Sequence, residues 1–408
     1  MNGIFLFNLT AFTDGLKIAG GVVLAVVMLL VMVTVHEFGH YVAGKILGFK
    51  INEFSVGFGP AIFKRRSKKS GELFALRVVP LGGYCAFDGE DDGETAENLP
   101  QEPFEETQEE KKEQTPEKEP SDEYPEPKGV KFNDQKPWKR IIVLLAGATM
   151  NYLLALVLLL IMVGSYGVPM CIALPVGYTD GMAVERTEWE SETLGDRDII
   201  VGMNGEKIKM PTDIIDALEG KKAGEEITVT VLRYKDEKAG WQERKVSHML
   251  LADAKFKNMA DVEKIKDVVG FEIYTTALKR GFFETVGGAF DYSLQMGGSI
   301  FKTLGQLLTG KLGVNSLGGP VTTISQTAQA ATVSAFSFLY ISAFIGVNLA
   351  VFNLLPIPAL DGSKIVFCII EWIRKKPVNR NVENWLHFIG IILLFGFAIL
   401  VDLLQLFN

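Results

Sequence analysis

The chain has 408 residues, 48% of them hydrophobic, and a net charge of −8. That charge is concentrated, because residues 88–128 hold 17 acidic and 4 basic side chains and leave the remainder slightly basic. No broad basic stripe remains, which argues against a nucleic-acid partner, and the three cysteines, far apart in the chain, suggest neither a disulfide framework nor a zinc ribbon.

The first element is an uncharged apolar run, 18–35, that leads straight into His36-Glu37-Phe38-Gly39-His40. Its length predicts a membrane-crossing helix over 18–40. Lys17 is the only cation before it, so it reads as a retained anchor rather than a cleaved leader. Positions four apart share a helix face, so His36 and His40 together suit one zinc ion, with Glu37 beside them as general base. Ionisable groups at membrane depth are costly without partners and read as functional. The competing reading is a set of polar residues at a helix end.

Residues 49–87 predict a membrane-associated β region. Leu73, Ala75, Arg77 and Val79 alternate with Phe74, Leu76 and Val78, and Pro80-Leu81-Gly82-Gly83 closes the run with turn chemistry. The end of this hairpin, with Gly82 and Gly83, offers an edge that could hold an extended peptide. The acidic stretch 88–128 has too few apolar residues for a core and is expected to be a disordered linker. A second span is expected over 138–163, within a segment 129–165. In it, Asn151 reads as an interhelical packing residue.

Residues 166–276 predict one compact α+β domain, with strands near 199–208 and 227–232 and a short helix at 211–218. The stretch 277–334 shows helical periodicity through Phe283, Val286, Phe290, Leu294, Phe301 and Leu308, with an expected break at Gly297-Gly298. It suits packing on the domain or lying along the membrane surface. A third span is expected over 335–355, in a segment ending at 362. Pro356 and Pro358 lack amide hydrogens and should unwind its end. Unwound backbone at membrane depth needs a protein-lined cavity, so Asn353 and Asp361 stand where a partner for the histidines is needed, and Asp361 is the best third ligand. A loop, 363–384, and a fourth span, 385–408, complete the chain. Lysines and arginines gather between spans one and two and between three and four. That bias puts both termini and the 166–276 domain outside the cytoplasm.

Taken together, the chain resembles the site-2 proteases, intramembrane zinc metalloproteases, in the PDZ-containing regulator-of-sigma-E type and its Gram-positive relatives. The resemblance rests on His36–His40, Gly57-Phe58-Gly59-Pro60, Pro80-Leu81-Gly82-Gly83-Tyr84, Ala146-Gly147-Ala148-Thr149-Met150-Asn151, Gly195-Asp196, Asn204-Gly205, Gly318-Gly319-Pro320 and Asn353-Leu354-Leu355-Pro356-Ile357-Pro358-Ala359-Leu360-Asp361-Gly362. It implies a four-helix polytopic bacterial plasma-membrane protein with an inserted extracytoplasmic PDZ domain, one rather than a tandem pair. It also implies one zinc per chain held by His36, His40 and Asp361, with Glu37 catalytic. Asn353, Pro356, Pro358, Gly82 and Gly83 would then contact substrate. The implied substrates are single-pass transmembrane proteins already cut outside the membrane, such as anti-sigma factors or remnant signal peptides. Their trimmed termini would meet the PDZ domain. The acidic insertion lies outside the family pattern. The alternatives are a catalytically silent PDZ-bearing membrane scaffold and another kind of integral-membrane zincin.

Overall fold

The computed structural model describes residues 2–90, 124–179, 182–256, 261–279, 281–310, 312–314 and 317–406. Most of the acidic stretch, at 91–123, lies outside the described residues. The rest forms two compact units, one made of 1–155 with 318–408 and the other of 156–317.

Among the described residues, four helices are long and apolar enough to cross a membrane: Lys17–Leu47, Pro137–Tyr166, Ala335–Asn353 and Arg380–Gln405. The first is the C-terminal part of α1 (Asn2–Leu47), the second is α2, the third α7, and the fourth lies in α9 (Arg380–Leu406). Much of α1 and α9 exposes leucine, isoleucine, valine and phenylalanine on several sides. A helix apolar all round needs an apolar surrounding.

In the first unit α1 and α2 approach closely at Gly39, where an added Cβ would sit 2.5 Å from the Ala146 carbonyl oxygen. Helix α6 (Pro320–Val333) packs along α1 at Gly21, again with room for no side chain against Ala328. Asp402 of α9 accepts from the Val321 and Thr322 amides and so caps α6 from another helix. The buried Arg140 of α2 pairs with Glu371 of α8 (Asp361–Arg374), tying those two helices together.

Strands β1 (Ile51–Arg66) and β2 (Leu73–Phe87) do more than form a simple hairpin. The second half of β1 meets the start of β2, as in Lys64 opposite Ala75. Its first half lies opposite both ends of β2, so that Phe54 faces Cys85 and also Phe74. Positive-φ glycines at Gly57, Gly59 and Gly82 supply the bends that fold each strand back.

The second unit centres on a sheet in the order β7-β6-β4-β3-β8, with the short β5 (Glu206–Lys207) on β4. Strand β3 (Val168–Pro175) pairs along its whole length with β8 (Phe271–Leu278), whereas β4 (Ile199–Met203), β6 (Glu226–Tyr234) and β7 (Trp241–Met249) follow as antiparallel neighbours. The helix expected at 211–218 is present as α3 (Pro211–Leu218), which buries Ile214, Ile215 and Leu218 in one core with Val229 and Val231 of β6 and Ile265 and Val268 of the short α4 (Ile265–Val269). The alternating burial of β6 shows the period-2 pattern that places those valines inward.

Helix α5 (Phe282–Leu308) corrects the expected break at Gly297-Gly298, because it runs through without interruption. Two interior glycines cost about 2 kcal/mol of helix propensity. Burial of Tyr292, Met296 and Ile300 around them, with Lys209–Asp291 at 2.9 Å and Lys302–Asp216 as flanking ion pairs, outweighs that. The compact units also divide the stretch 277–334, since α5 belongs with the sheet domain and α6 with the helical unit.

Arg233, 2% exposed, binds Asp198 through Nε at 2.7 Å and donates to the carbonyls of Ser191 and Thr193. It thereby fixes the loop that precedes β4. Removing one member of a buried pair strands the other, at about 3–5 kcal/mol. Arg233→Ala is therefore expected to raise amide hydrogen exchange across 168–278 in the full chain. Unchanged protection there would mean the loop does not depend on this pair.

Candidate metal centre

His36 and His40 lie one turn apart on α1, both buried, with their Nε2 atoms 3.1 Å from each other. Asp361, the first residue of α8, brings Oδ2 to 3.0 Å from His36 Nε2 and 3.4 Å from His40 Nε2. Among the described residues this is the one group of three or more histidine, cysteine or acidic side chains whose donor atoms converge.

The bridge between the helices explains how Asp361 arrives there. Helix α7 stops at Asn353, and Pro356 and Pro358 fall in the turn that follows. Ala359 takes φ +82°, an unusual backbone conformation for a residue with a Cβ. Gly362 is sterically required, because a Cβ would lie 2.2 Å from the Leu355 carbonyl oxygen. Pro358 packs against α9 at Gly390, where a Cβ would come within 2.4 Å of the ring. The prolines thus redirect the chain so that α8 begins at Asp361.

The opposite wall is α2. His40 Nδ1 lies 2.8 Å from the Val143 carbonyl oxygen, which can only accept. The proton therefore sits on Nδ1 and the Nε2 lone pair faces His36 and Asp361. Gly147, one turn on, leaves the space the rings occupy. A Cβ there would stand 2.5 Å from His40 Nε2 and 2.7 Å from His36 Cε1. One further turn along, Asn151 places its side-chain amide 3.3 Å from His36 Nδ1 and is 1% exposed. Asn151 is thus interhelical, as expected, and the partner that the sequence left unnamed is His36. Val143, Gly147 and Asn151 are spaced at four, so a single stripe of α2 faces the histidines. That spacing was visible in the sequence but had no meaning until the partner of α2 was known.

Asn353 also brings its amide to 3.3 Å from His36 Nδ1. The Asn151 Oδ1 is buried without a hydrogen-bond partner. Turning that amide over lets Oδ1 accept from His36 Nδ1–H, which satisfies the orphan and frees His36 Nε2.

These groups fit a zinc ion. Ligand atoms ~2.0–2.1 Å from a tetrahedral zinc are separated by roughly 3.3 Å. The three observed separations of 3.0, 3.1 and 3.4 Å bracket that value. Two imidazole lone pairs and a carboxylate oxygen turned toward one point repel unless a cation lies among them. A shared proton serves one pair, whereas a metal ion serves all three.

Glu37 follows His36 on the half-buried side of α1. The returning end of β2 runs beside it. A Cβ built on Gly83 would meet Glu37 Cγ at 3.4 Å and the Ser55 carbonyl oxygen at 2.8 Å. Gly82, at φ +128°, has the Phe58 ring where a side chain would go. Gly83 therefore stands beside the Glu37 side chain with Gly82 before it in the chain, whereas Pro356 is exposed in the turn after α7. Outside the helices, Arg77 binds Glu53 at 2.7 Å and Tyr84 at 2.8 Å and so stiffens the sheet behind this edge. Burial and the hydrogen bond with Glu53 push the Tyr84 phenol above its usual range.

The family model for peptidase family M50 matches residues 24–397. The regulator of sigma-W protease RasP of Bacillus subtilis is 28% identical over 410 residues, covering 88% of this chain and 92% of that protein. The zinc metalloprotease RasP of Bacillus licheniformis is 27% identical over 420 residues, with the same coverage of 88% and 92%.

Gly147→Ala is expected to push the imidazoles out of register and to lower the zinc content of the purified protein severalfold, as read by elemental analysis. Full zinc in that variant would mean α2 can retreat without disturbing the ligands.

Proposed function

Since this chain belongs to peptidase family M50 and is a membrane metalloprotease, we propose that it is an intramembrane zinc endopeptidase that cuts within or near the transmembrane segment of single-pass proteins. The observation that carries this reading is the convergence of His36, His40 and Asp361 beside Glu37 in the unit built from the apolar helices. One zinc per chain would be held by those three side chains. When bound, it supplies a Lewis acid that polarises a scissile carbonyl and acidifies water. Glu37 takes a proton from the attacking water and returns it to the leaving amine.

A transmembrane helix hides its backbone in its own hydrogen bonds and must unwind to be cut. The Gly82–Gly83 edge receives the unwound segment as an added strand, directly beside Glu37. The two asparagines then divide their work. The fully buried Asn151 holds His36, and the half-buried Asn353 remains to hydrogen-bond the substrate backbone.

The sheet domain is read as a PDZ domain. Its support is the short α3 packed beside β8, a strand at the end of the sheet order with an edge open to a peptide. Such an edge would take up the terminus of a substrate already trimmed outside the membrane. The lysine and arginine bias supports a plasma-membrane orientation with both termini and this domain extracytoplasmic. The name of the Bacillus subtilis relative, regulator of sigma-W protease, makes an anti-sigma factor an apt substrate class.

Glu37→Gln is expected to keep zinc and to lose cleavage of a model transmembrane substrate by at least ~100-fold. Wild-type turnover in that variant would remove Glu37 from the mechanism. Asn353→Ala should slow cleavage with zinc retained, and metal loss would instead give Asn353 a structural role at His36.

A further inference from the structure

The end of β1 and the turn after it carry Lys64, Arg65, Arg66, Lys68 and Lys69, all exposed. Lys64, Arg65, Arg66 and Lys69 form no ion pair among the described residues. Those four cations, within six positions, repel one another unless something negative lies against them.

Where this turn sits is fixed by Glu72, at its far end. Glu72 is 3% exposed and accepts from the Tyr41 hydroxyl at 3.0 Å and from Lys45 at 2.5 Å. Both donors lie in the last two turns of α1, where the first span ends at Leu47. The basic segment is therefore held level with the last turns of that apolar helix. The strands leading away from it are different. Ile62 and Phe63 are consecutive, so they point to opposite faces, and both are exposed. Val78 and Val79 repeat the pattern on β2. A sheet with apolar side chains exposed on both faces suits lipid rather than water.

We infer that the basic segment 64–69, the end of β1 and the turn after it, docks on anionic phospholipid headgroups, while the apolar strand residues behind it sit in the adjoining leaflet. This rests on the proposed orientation, which turns this end of α1 toward the anionic leaflet. Clusters of four or more cations just outside a span are the usual signature of such binding. The same sheet continues to Gly83 beside Glu37, so anchoring the turn holds the proposed substrate edge at the depth of the metal centre.

The test uses the full chain in nanodiscs containing trace spin-labelled phosphatidylglycerol or phosphatidylcholine. The native protein is expected to retain phosphatidylglycerol preferentially, and salt should weaken that preference. Arg65→Gln/Arg66→Gln/Lys69→Gln should reduce it severalfold, whereas Lys64→Arg/Lys69→Arg should keep it. No native preference, or an unchanged one in the glutamine variant, overturns the inference and leaves the cations to water or to the chain's own acidic stretch. If the glutamine variant fails to assemble, the native preference and its salt dependence decide. Zinc content is read in parallel. Its absence from the native chain would count against the peptidase reading while leaving the lipid result to stand or fall separately.

Discussion

The structure depends on one electrostatic constraint: three electron-rich atoms, two imidazole nitrogens and a carboxylate oxygen, are turned toward a common point with separations of 3.0–3.4 Å. Held without a cation, that arrangement is repulsive, and burial strengthens the repulsion. Much of the surrounding architecture maintains it. Gly39 and Gly147 let α1 and α2 approach until the rings face Val143 and Asn151. Arg140 and Glu371 hold α8, which carries Asp361, against α2. The turn after α7 and the obligate Gly362 deliver the carboxylate.

The second consequence is the placement of extended backbone beside a helical carboxylate. The bends at Gly57, Gly59 and Gly82 fold the β1–β2 pair back so that its last segment runs along Glu37. A straight hairpin would put only its tip near α1. The doubled pairing of Phe54 and Ser55 with both ends of β2 makes a small sheet rigid enough to keep an edge in place. The Arg77–Glu53–Tyr84 hydrogen bonds reinforce it from behind.

Much of this was legible in the sequence. His36, Glu37 and His40 announce themselves by helical spacing at the end of an apolar run. Asp361 follows from prolines that no continuous membrane helix tolerates well. Helix α3 starts at Pro211, as an N-terminal proline favours. What could not be read depends on partners distant in the chain. The fold-back of β1 on β2 is set by pairings that local alternation leaves open. Gly297-Gly298 reads locally as a break, but packing of Met296 and Ile300 carries α5 through it. Asn151 looks like an ordinary polar residue in a span until His36 is placed 3.3 Å away.

The central claim is that Asp361 completes a zinc site begun by His36 and His40. Equilibrium zinc titration of the metal-stripped native chain and of Asp361→Ala tests it most directly. The account predicts one tightly bound zinc per native chain and a large loss of affinity in the variant. An Asp361→Ala protein that binds one zinc as tightly as the native chain would contradict it.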